Sequence, residues 1–280
     1  MKYLIVLGDG MADEPLSELS GRTPLEAADT PFMDQIAREG AMGLIRTVPD
    51  GYQPGSDIAN LSVLGYDVAT CYTGRGALEA GSMGIGLGPD DMAYRCNLVT
   101  IRDGVMEDFS AGHISNSEGA ALLASLTASP GSAAAAFHPG VSYRNLMVIP
   151  GGSGAETTAP HDIVGEPISG YLPQGPDSSL ITRLMEESSR IFSGHPVNKD
   201  RIAAGKRPAT HIWPYSSGKR PSIPLFSERW QKTGGMISAV DLLNGIAGYA
   251  GMEIIRVPGA TGFLDTDYDA KARYAIDALR

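Results

Sequence analysis

The sequence predicts an α/β fold in which the two ends of the chain form one discontinuous domain, interrupted by a smaller inserted α/β domain. Three observations carry this. The opening alternates strand, loop, helix, strand, loop and helix, the order of α/β architectures. The pattern then changes, with a long stretch dense in Gly, Pro, Ser and Thr at residues 151–177. After residue 237 the alternation of amphipathic helix and short strand returns. These boundaries place the outer domain at residues 1–94 and 216–280 and the insertion at 95–215.

The elements follow in order. Residues 2–7 are a continuous apolar run of the kind buried on both faces in a parallel sheet. Pro31 opens a helix that Gly40 stops, and residues 41–48 read as a second strand. Gly55-Ser56-Asp57 leads into a helix to residue 64. Residues 91–101 read as a strand ending at an Asp103-Gly104 turn, 118–128 as a helix, and 141–149 as a strand. The Gly/Pro-rich stretch 151–177 reads as loop. Residues 178–193 fit a helix with Leu180, Leu184 and Ile191 to one side, and 206–224 are polar, basic and punctuated by prolines. Residues 238–249 space Val240, Leu243, Ile246 and Ala247 for one helical face. A strand at 253–257, a tight loop at 258–262 and a helix at 269–279 close the chain.

Composition excludes several functions. At 42% hydrophobic the chain can bury a sizeable core. The net charge of −10 argues against a nucleic-acid partner, which requires a broad basic surface. No run reaches the ~18 apolar residues of a membrane helix, and the N-terminus lacks a signal-peptide pattern. Cys71 and Cys96 make neither a CxxC cage nor a disulfide framework, so a reducing cytoplasm is expected. The glycines at 84–88 follow no strand, and the loop at 259–262 lacks a Walker Lys-Ser/Thr pair, so no nucleotide cofactor is expected. An anionic substrate would be held by local basic groups, helix N-termini or metal ions.

Three constellations could do chemistry. Gly8-Asp9-Gly10 puts a carboxylate at a strand end, where open α/β sheets build their sites; Asp9 is a metal ligand there or a loop cap. Ser56 sits at a helix N-terminus, as a cap or as a nucleophile toward phosphorus, since orphan N–H groups favour anions there. No G-x-S-x-G elbow surrounds it, which disfavours acyl chemistry. The basic set Arg75, Arg95, His113, Arg144, His195, Arg201, Lys206 and Lys219 offers anion contacts or plain surface charge, while His138, His161 and His211 read as structural.

Longer segments carry a family resemblance. They include Gly8-Asp9-Gly10-Met11-Ala12-Asp13, Thr23-Pro24-Leu25-Glu26-Ala27-Ala28 and Pro54-Gly55-Ser56-Asp57-Ile58-Ala59-Asn60. Further on are Tyr72-Thr73-Gly74-Arg75-Gly76-Ala77-Leu78-Glu79, Ser110-Ala111-Gly112-His113-Ile114, His195-Pro196-Val197-Asn198 and Val257-Pro258-Gly259-Ala260-Thr261-Gly262. In this order they resemble the archaeal-type cofactor-independent (2,3-bisphosphoglycerate-independent) phosphoglycerate mutases of the alkaline phosphatase superfamily. The resemblance implies an alkaline-phosphatase-like sheet domain carrying the insertion. It implies interconversion of 2- and 3-phosphoglycerate, in glycolysis and gluconeogenesis, through a phosphoserine intermediate. Ser56 matches the nucleophile and Asp9 a metal ligand. Two divalent ions (manganese, zinc or magnesium) would be bound, with Ser56 also a metal contact. His113, Arg144 and Arg95 would hold the glycerate, and Lys219 would contact phosphate near the domain hinge. The partner is then a small phosphorylated substrate; oligomeric state is left open. The family's C-terminal metal ligands, an Asp-x-x-x-His segment and an Asp-His pair followed by another His, have no match. The chain alone is therefore expected to bind metal weakly and to lack turnover. A related phosphotransferase, such as a homoserine kinase-like enzyme, and a non-catalytic fragment are the alternatives.

Overall fold

The computed structural model describes residues 1–280. Before residue 92 the chain carries helices and no strand: α1 (Pro24–Ala27), α2 (Pro31–Glu39), α3 (Ser56–Val63), α4 (Val68–Cys71) and α5 (Arg75–Ser82). Then come β1 (Met92–Arg102), β2 (Val105–Asp108), α6 (Asn116–Thr127), β3 (Ala136–Val141), β4 (Arg144–Ile149), α7 (Ser178–Ser193), α8 (Pro196–Ala203) and β5 (His211–Lys219). The chain closes with α9 (Phe226–Trp230), β6 (Gly235–Met236), α10 (Asp241–Tyr249), β7 (Glu253–Ile254) and α11 (Tyr268–Ala278).

β1 organises the sheet. It pairs antiparallel with β2, β4 and β5, and β3 pairs antiparallel with β4. In this register Arg95 lies opposite Leu146 and Tyr215, and Asn97 opposite Arg144 and Trp213. Directly opposed residues share a face, so Arg95, Arg144 and Tyr215 project together. All 25 residues of the largest buried cluster fall between Met92 and Tyr215, so this stretch carries its own core. Leu122, Leu123 and Leu126 of α6 and Ile181, Leu184 and Phe192 of α7 fill it. Each such side chain contributes about 1.5–3 kcal/mol by leaving water.

A second core joins the chain's beginning to its end. Ile58, Leu61, Val68, Cys71 and Leu78 pack with Ile223, Ile246 and Ala250. α10 crosses α5 so closely that a Cβ at Gly245 would overlap the Leu78 carbonyl oxygen, which only glycine permits. Ala77 and Ala80, on the same α5, pack against Ala93, Leu146 and Val148 of the sheet. α5 thereby ties the helical part to the antiparallel sheet.

The structure is mixed α/β, but several sequence expectations change. Residues 2–7 are not a strand: no other strand lies beside them, and Tyr3, Leu4, Ile5, Val6 and Leu7 are exposed. Residues 41–48 are likewise unpaired, with Met42, Leu44 and Ile45 exposed. An apolar run encodes a preference for burial, whereas a strand also needs a neighbour for its backbone groups. The only parallel pairing is the two-residue β6–β7 contact, so the strand expected at 253–257 is much shorter. Conversely, the polar stretch 206–224 contains β5. It pairs only with β1, and an edge strand tolerates Pro214. No helix is long and apolar enough to cross a membrane.

β5 begins at His211, whose Nδ1 lies 2.9 Å from Thr210 Oγ1. Burial pushes this imidazole down to about 4. In the unfolded chain it titrates near ~6.5. Between these values the unfolded chain binds the proton first, so the His211 contribution is complete above pH ~6.5. It is lost as pH falls toward 4, by roughly 1.4 kcal/mol per pH unit at most. The urea midpoint of the wild type is expected to fall more steeply between pH 6.5 and 4.5 than that of His211→Gln. Parallel profiles for the two proteins would contradict this assignment.

Candidate functional site

Ser56 is the first residue of α3, after an extended Gly55 that makes no side-chain cap. Its hydroxyl donates to Asp9 Oδ2 at 2.9 Å across 47 residues. The first N–H groups of α3 lack intrahelical partners and, with the helix dipole, favour an anion beside this hydroxyl.

Behind the serine, Asp57 is fully buried. Tyr72 donates to its Oδ2 at 2.7 Å, while Arg75 Nε reaches Oδ2 at 3.1 Å and Arg75 Nη2 reaches Oδ1 at 3.4 Å. Burial alone would raise the Asp57 pKa; the Tyr72 and Arg75 hydrogen bonds and the Arg75 charge outweigh it and hold the carboxyl below its usual range. Burial, then the Asp57 contact, push the Tyr72 phenol up. A Cβ at Gly55 would overlap Asp57 Oδ1 and come within 2.7 Å of Arg75 Nη2. Glycine thus lets a guanidinium approach the backbone next to the nucleophile candidate. In the sequence Arg75 was one of eight basic candidates without a role; the Tyr72-x-x-Arg75 spacing across Gly74, whose φ is +130°, was its available signal.

As a cation site, Asp9 and Ser56 offer two hard oxygen donors. Both Asp57 oxygens are engaged by Tyr72 and Arg75. No group of three or more His, Cys, Asp and Glu side chains is placed to hold a metal. Two donors fall short of the coordination that divalent ions require, so these residues alone do not fit a two-ion centre.

The second gathering of side chains lies on the sheet. Arg95 of β1 places its guanidinium 5.1 Å from the Tyr215 ring centroid, and Arg144 of β4 places its own 5.2 Å from that of Tyr143. His113 stands edge-on to Tyr143 at 6.0 Å. Burial pushes the Tyr215 phenol up to about 12, with Arg95 and Arg144 both near enough to pull against it. Arg95 Nε lies 2.7 Å from Glu79 Oε1, in an ion pair whose geometry leaves the buried Nε–H without a hydrogen bond. Burial raises the Glu79 pKa, and Arg95 opposes this. Glu79 belongs to α5, one turn after Arg75. The helix that carries the guanidinium behind Ser56 therefore also touches the arginine on the sheet, about 6 Å further along its axis.

His113 is presented by three consecutive left-handed residues, with φ of 49° at Ala111, 65° at Gly112 and 48° at His113. Such a run is costly for L-residues and needs bracing. Asp108 accepts from Ser110 N, Ser110 Oγ and Gly112 N, and Ser110 Oγ accepts from His113 N at 3.1 Å. Arg201, only 3% exposed, donates to Ala111 O at 2.6 Å, Gly112 O at 3.3 Å, Arg207 O at 2.8 Å and Glu118 Oε2 at 2.8 Å. Its donors are thereby spent on the scaffold and not on an anion. His195 is similarly committed: Nε2 lies 3.0 Å from Ser125 Oγ, and Nδ1 accepts from Val197 N to cap α8.

Lys219 lies elsewhere, in a cleft of about 510 Å³ that it shares with Thr73, Met92, Gly154, Gln174 and Ser217. Of the sequence candidates, then, Ser56 meets Asp9, and His113, Arg95 and Arg144 gather around Tyr143 and Tyr215. Lys219 lines the neighbouring cleft, its backbone carbonyl accepting from Thr73 two residues before Arg75.

Comparison with known proteins adds an independent line. Residues 37–198 match the family model described as 2,3-bisphosphoglycerate-independent phosphoglycerate mutase. A Methanosarcina barkeri protein of that name is 51% identical over 282 residues, covering all of this chain and 71% of that protein. A Methanothermobacter thermautotrophicus protein, 2,3-bisphosphoglycerate-independent phosphoglycerate mutase 2, is 52% identical, with 70% of its length covered. Among solved structures, the cofactor-independent phosphoglycerate mutase of Thermoplasma acidophilum superposes with a TM-score of 0.60 at 31% identity, over 96% of this chain and 72% of that one. The PH0037 protein of Pyrococcus horikoshii gives 0.76 at 29% identity, over 97% of this chain and 65% of that one. The chain thus spans about two thirds to three quarters of its relatives' length.

Proposed function

Because the chain belongs to the 2,3-bisphosphoglycerate-independent phosphoglycerate mutases, isomerases that interconvert 2- and 3-phosphoglycerate, we propose that Ser56 is its nucleophile and the aromatic group on the sheet its glycerate site. The observation that carries this reading is the Ser56 hydroxyl donating to Asp9 at the start of α3. As Oγ attacks phosphorus, Asp9 Oδ2 stands where the serine proton is released. The bond between phosphorus and the glycerate oxygen breaks, and that oxygen takes up a proton as phosphoserine forms. The α3 N–H groups and Arg75 face the transferring phosphoryl oxygens and supply positive potential. Return of the group to the other hydroxyl of the retained glycerate completes the isomerisation. Holding the glycerate between the two steps is the task of Arg95, Arg144 and His113, with Lys219 a phosphate contact from the neighbouring cleft.

Residues 95–215 form the substrate domain in this reading, supported by the self-contained core between Met92 and Tyr215. Residues 1–94 and 216–280 form the phosphatase-like part, supported by the core that joins Ile58 to Ala250. Asp9 and Ser56 are donors to divalent ions of the manganese, zinc or magnesium kind, two in number in the complete centre. Since two side chains do not make that centre, no step above runs through metal. A cytoplasmic setting suits two free, buried cysteines, and the substrate is a small phosphorylated acid.

The test compares the 280-residue chain with the same chain extended to its relatives' length, each given 3-phosphoglycerate and Mn²⁺. The extended protein is expected to form 2-phosphoglycerate; the shorter one is expected to show neither turnover nor a stoichiometric ion. If the extended protein instead phosphorylated homoserine from ATP and left 3-phosphoglycerate untouched, the kinase-like reading would replace this one. Clear turnover by the 280-residue chain, with bound Mn²⁺, would reveal metal donors beyond Asp9 and Ser56.

A further inference from the structure

The aromatic group on the sheet contains a residue that neither the sequence motifs nor the mechanism above employs. Edge-on contacts link five rings in series. His113 meets Tyr143 at 6.0 Å, Tyr143 meets Phe109 at 5.6 Å, Phe109 meets His161 at 6.1 Å, and His161 meets Tyr215 at 6.3 Å. Arg144 lies over one of these rings and Arg95 over another. An imidazole therefore stands at one end of the series and a second one inside it, with guanidiniums over Tyr143 and Tyr215. The carboxylates nearby are Glu79, paired with Arg95, Asp108, engaged by Ser110, Gly112 and Arg207, and the exposed Asp162.

His161 is held there by its loop. It belongs to a 3₁₀ turn, Pro160–Asp162, in the Gly/Pro-rich stretch. That loop is tied to β5 twice: Trp213 Nε1 donates to Thr158 O at 2.8 Å, and Ser216 N donates to Thr157 Oγ1 at 3.1 Å. The imidazole itself makes no hydrogen bond to protein. Its nearest polar neighbour is Asp162 Oδ1, 3.7 Å from Nε2, beyond hydrogen-bond range, and half of the side chain is open to solvent. His195 and His211, by contrast, engage protein partners through their ring nitrogens. An imidazole held by ring contacts, with no hydrogen bond to protein at either nitrogen, on the same Tyr215 ring that Arg95 covers, leaves polar atoms open to a ligand.

We propose that His161 is a substrate-binding residue, donating to an anionic oxygen of phosphoglycerate held among His113, Arg95 and Arg144. This rests on the reading of the aromatic group as the glycerate site. Packing on Phe109 and Tyr215 alone would need only the ring, and the two nitrogens are what a ligand could engage.

Binding of 3-phosphoglycerate to the 280-residue chain, followed by calorimetry, tests it. His161→Phe keeps an edge-on ring and removes both nitrogens; it is expected to weaken binding about tenfold, the loss of one hydrogen bond to a charged group. His161→Gln, which retains a donor, is expected to recover part of that loss. In the wild type, the His161 ring protons should shift during the titration. If His161→Phe binds like the wild type while His113→Gln binds weakly, His161 is only a packing wall: the proposal fails and the glycerate site stands. If neither variant binds more weakly, or the wild type does not bind, the aromatic group is not the glycerate site and both readings fall. Equal urea midpoints for the variants and wild type are expected, since His161 bonds to nothing in the fold. A His161→Phe protein that unfolds would show a structural role and overturn the proposal.

Discussion

Ser56→Ala, made in a chain extended to its relatives' length, is expected to lower the interconversion of 2- and 3-phosphoglycerate by about 10,000-fold or more. Losses of that order follow when a covalent nucleophile is deleted. The same change should leave stability nearly untouched, within about 1 kcal/mol. The structure supplies the reason for this separation. Ser56 makes no capping hydrogen bond, and its one side-chain partner, Asp9, lies in an exposed segment. Asp57, Tyr72 and Arg75 keep their own bonds when the hydroxyl is gone. The measurements are mutase turnover, the urea midpoint, and mass spectrometry of the Ser56 peptide after exposure to 3-phosphoglycerate. Phosphate should appear on the wild-type peptide and be absent from the variant. Turnover near the wild-type level in Ser56→Ala would remove this serine from the mechanism.

The largest stability effect is expected at Arg201. Its guanidinium is buried and reaches four acceptors: Glu118 and the carbonyls of Ala111, Gly112 and Arg207. Arg201→Met would leave buried carbonyls without donors and Glu118 without its partner; breaking one side of a buried pair costs about 3–5 kcal/mol. The left-handed run at Ala111, Gly112 and His113 would lose its brace, so 3-phosphoglycerate binding should weaken along with folding. Arg201→Lys keeps the charge but lacks the planar fork and should recover only part of either property. Denaturant unfolding reads the first effect and calorimetry the second. A loss below about 1 kcal/mol in Arg201→Met would show that the loop is held by Asp108 and Ser110 alone.

How far the chain could be read from its sequence differs by element. α7, at Ser178–Ser193, coincides with the expected span, because sixteen residues of amphipathic spacing ending before Gly194 are a local signal. α2 and α10 agree to within a few residues for the same reason. The strands were harder. β1 was legible as a strand, yet β5 was hidden by Pro214 and by polar residues toward its end. The runs at 2–7 and 41–48 look like strands in composition and have no pairing partner.

The candidate site divides in the same way. Ser56, Asp9, His113, Arg95 and Arg144 were all visible as residue types within recognisable segments. Arg75 and Arg201 were visible only as members of a basic set, although one lies beside the nucleophile candidate and the other braces a loop. Charge and spacing do not separate these roles, since Arg75 meets Asp57 across 18 residues of sequence and Arg201 reaches Ala111 across 90. His161, read from the sequence as structural, engages no protein hydrogen-bond partner through its ring.

By itself, then, the sequence determined the family, the α/β class and the longer amphipathic helices, and it singled out Ser56 as the nucleophile candidate. These are written in short motifs and in hydrophobic periods that act within a turn or two of the chain. Tertiary structure alone decided which carboxylate faces Ser56, which arginine is spent on the scaffold, and which apolar runs find a neighbour. Hydrogen bonds and burial depend on what the rest of the fold brings within 3 Å, and no local pattern specifies that.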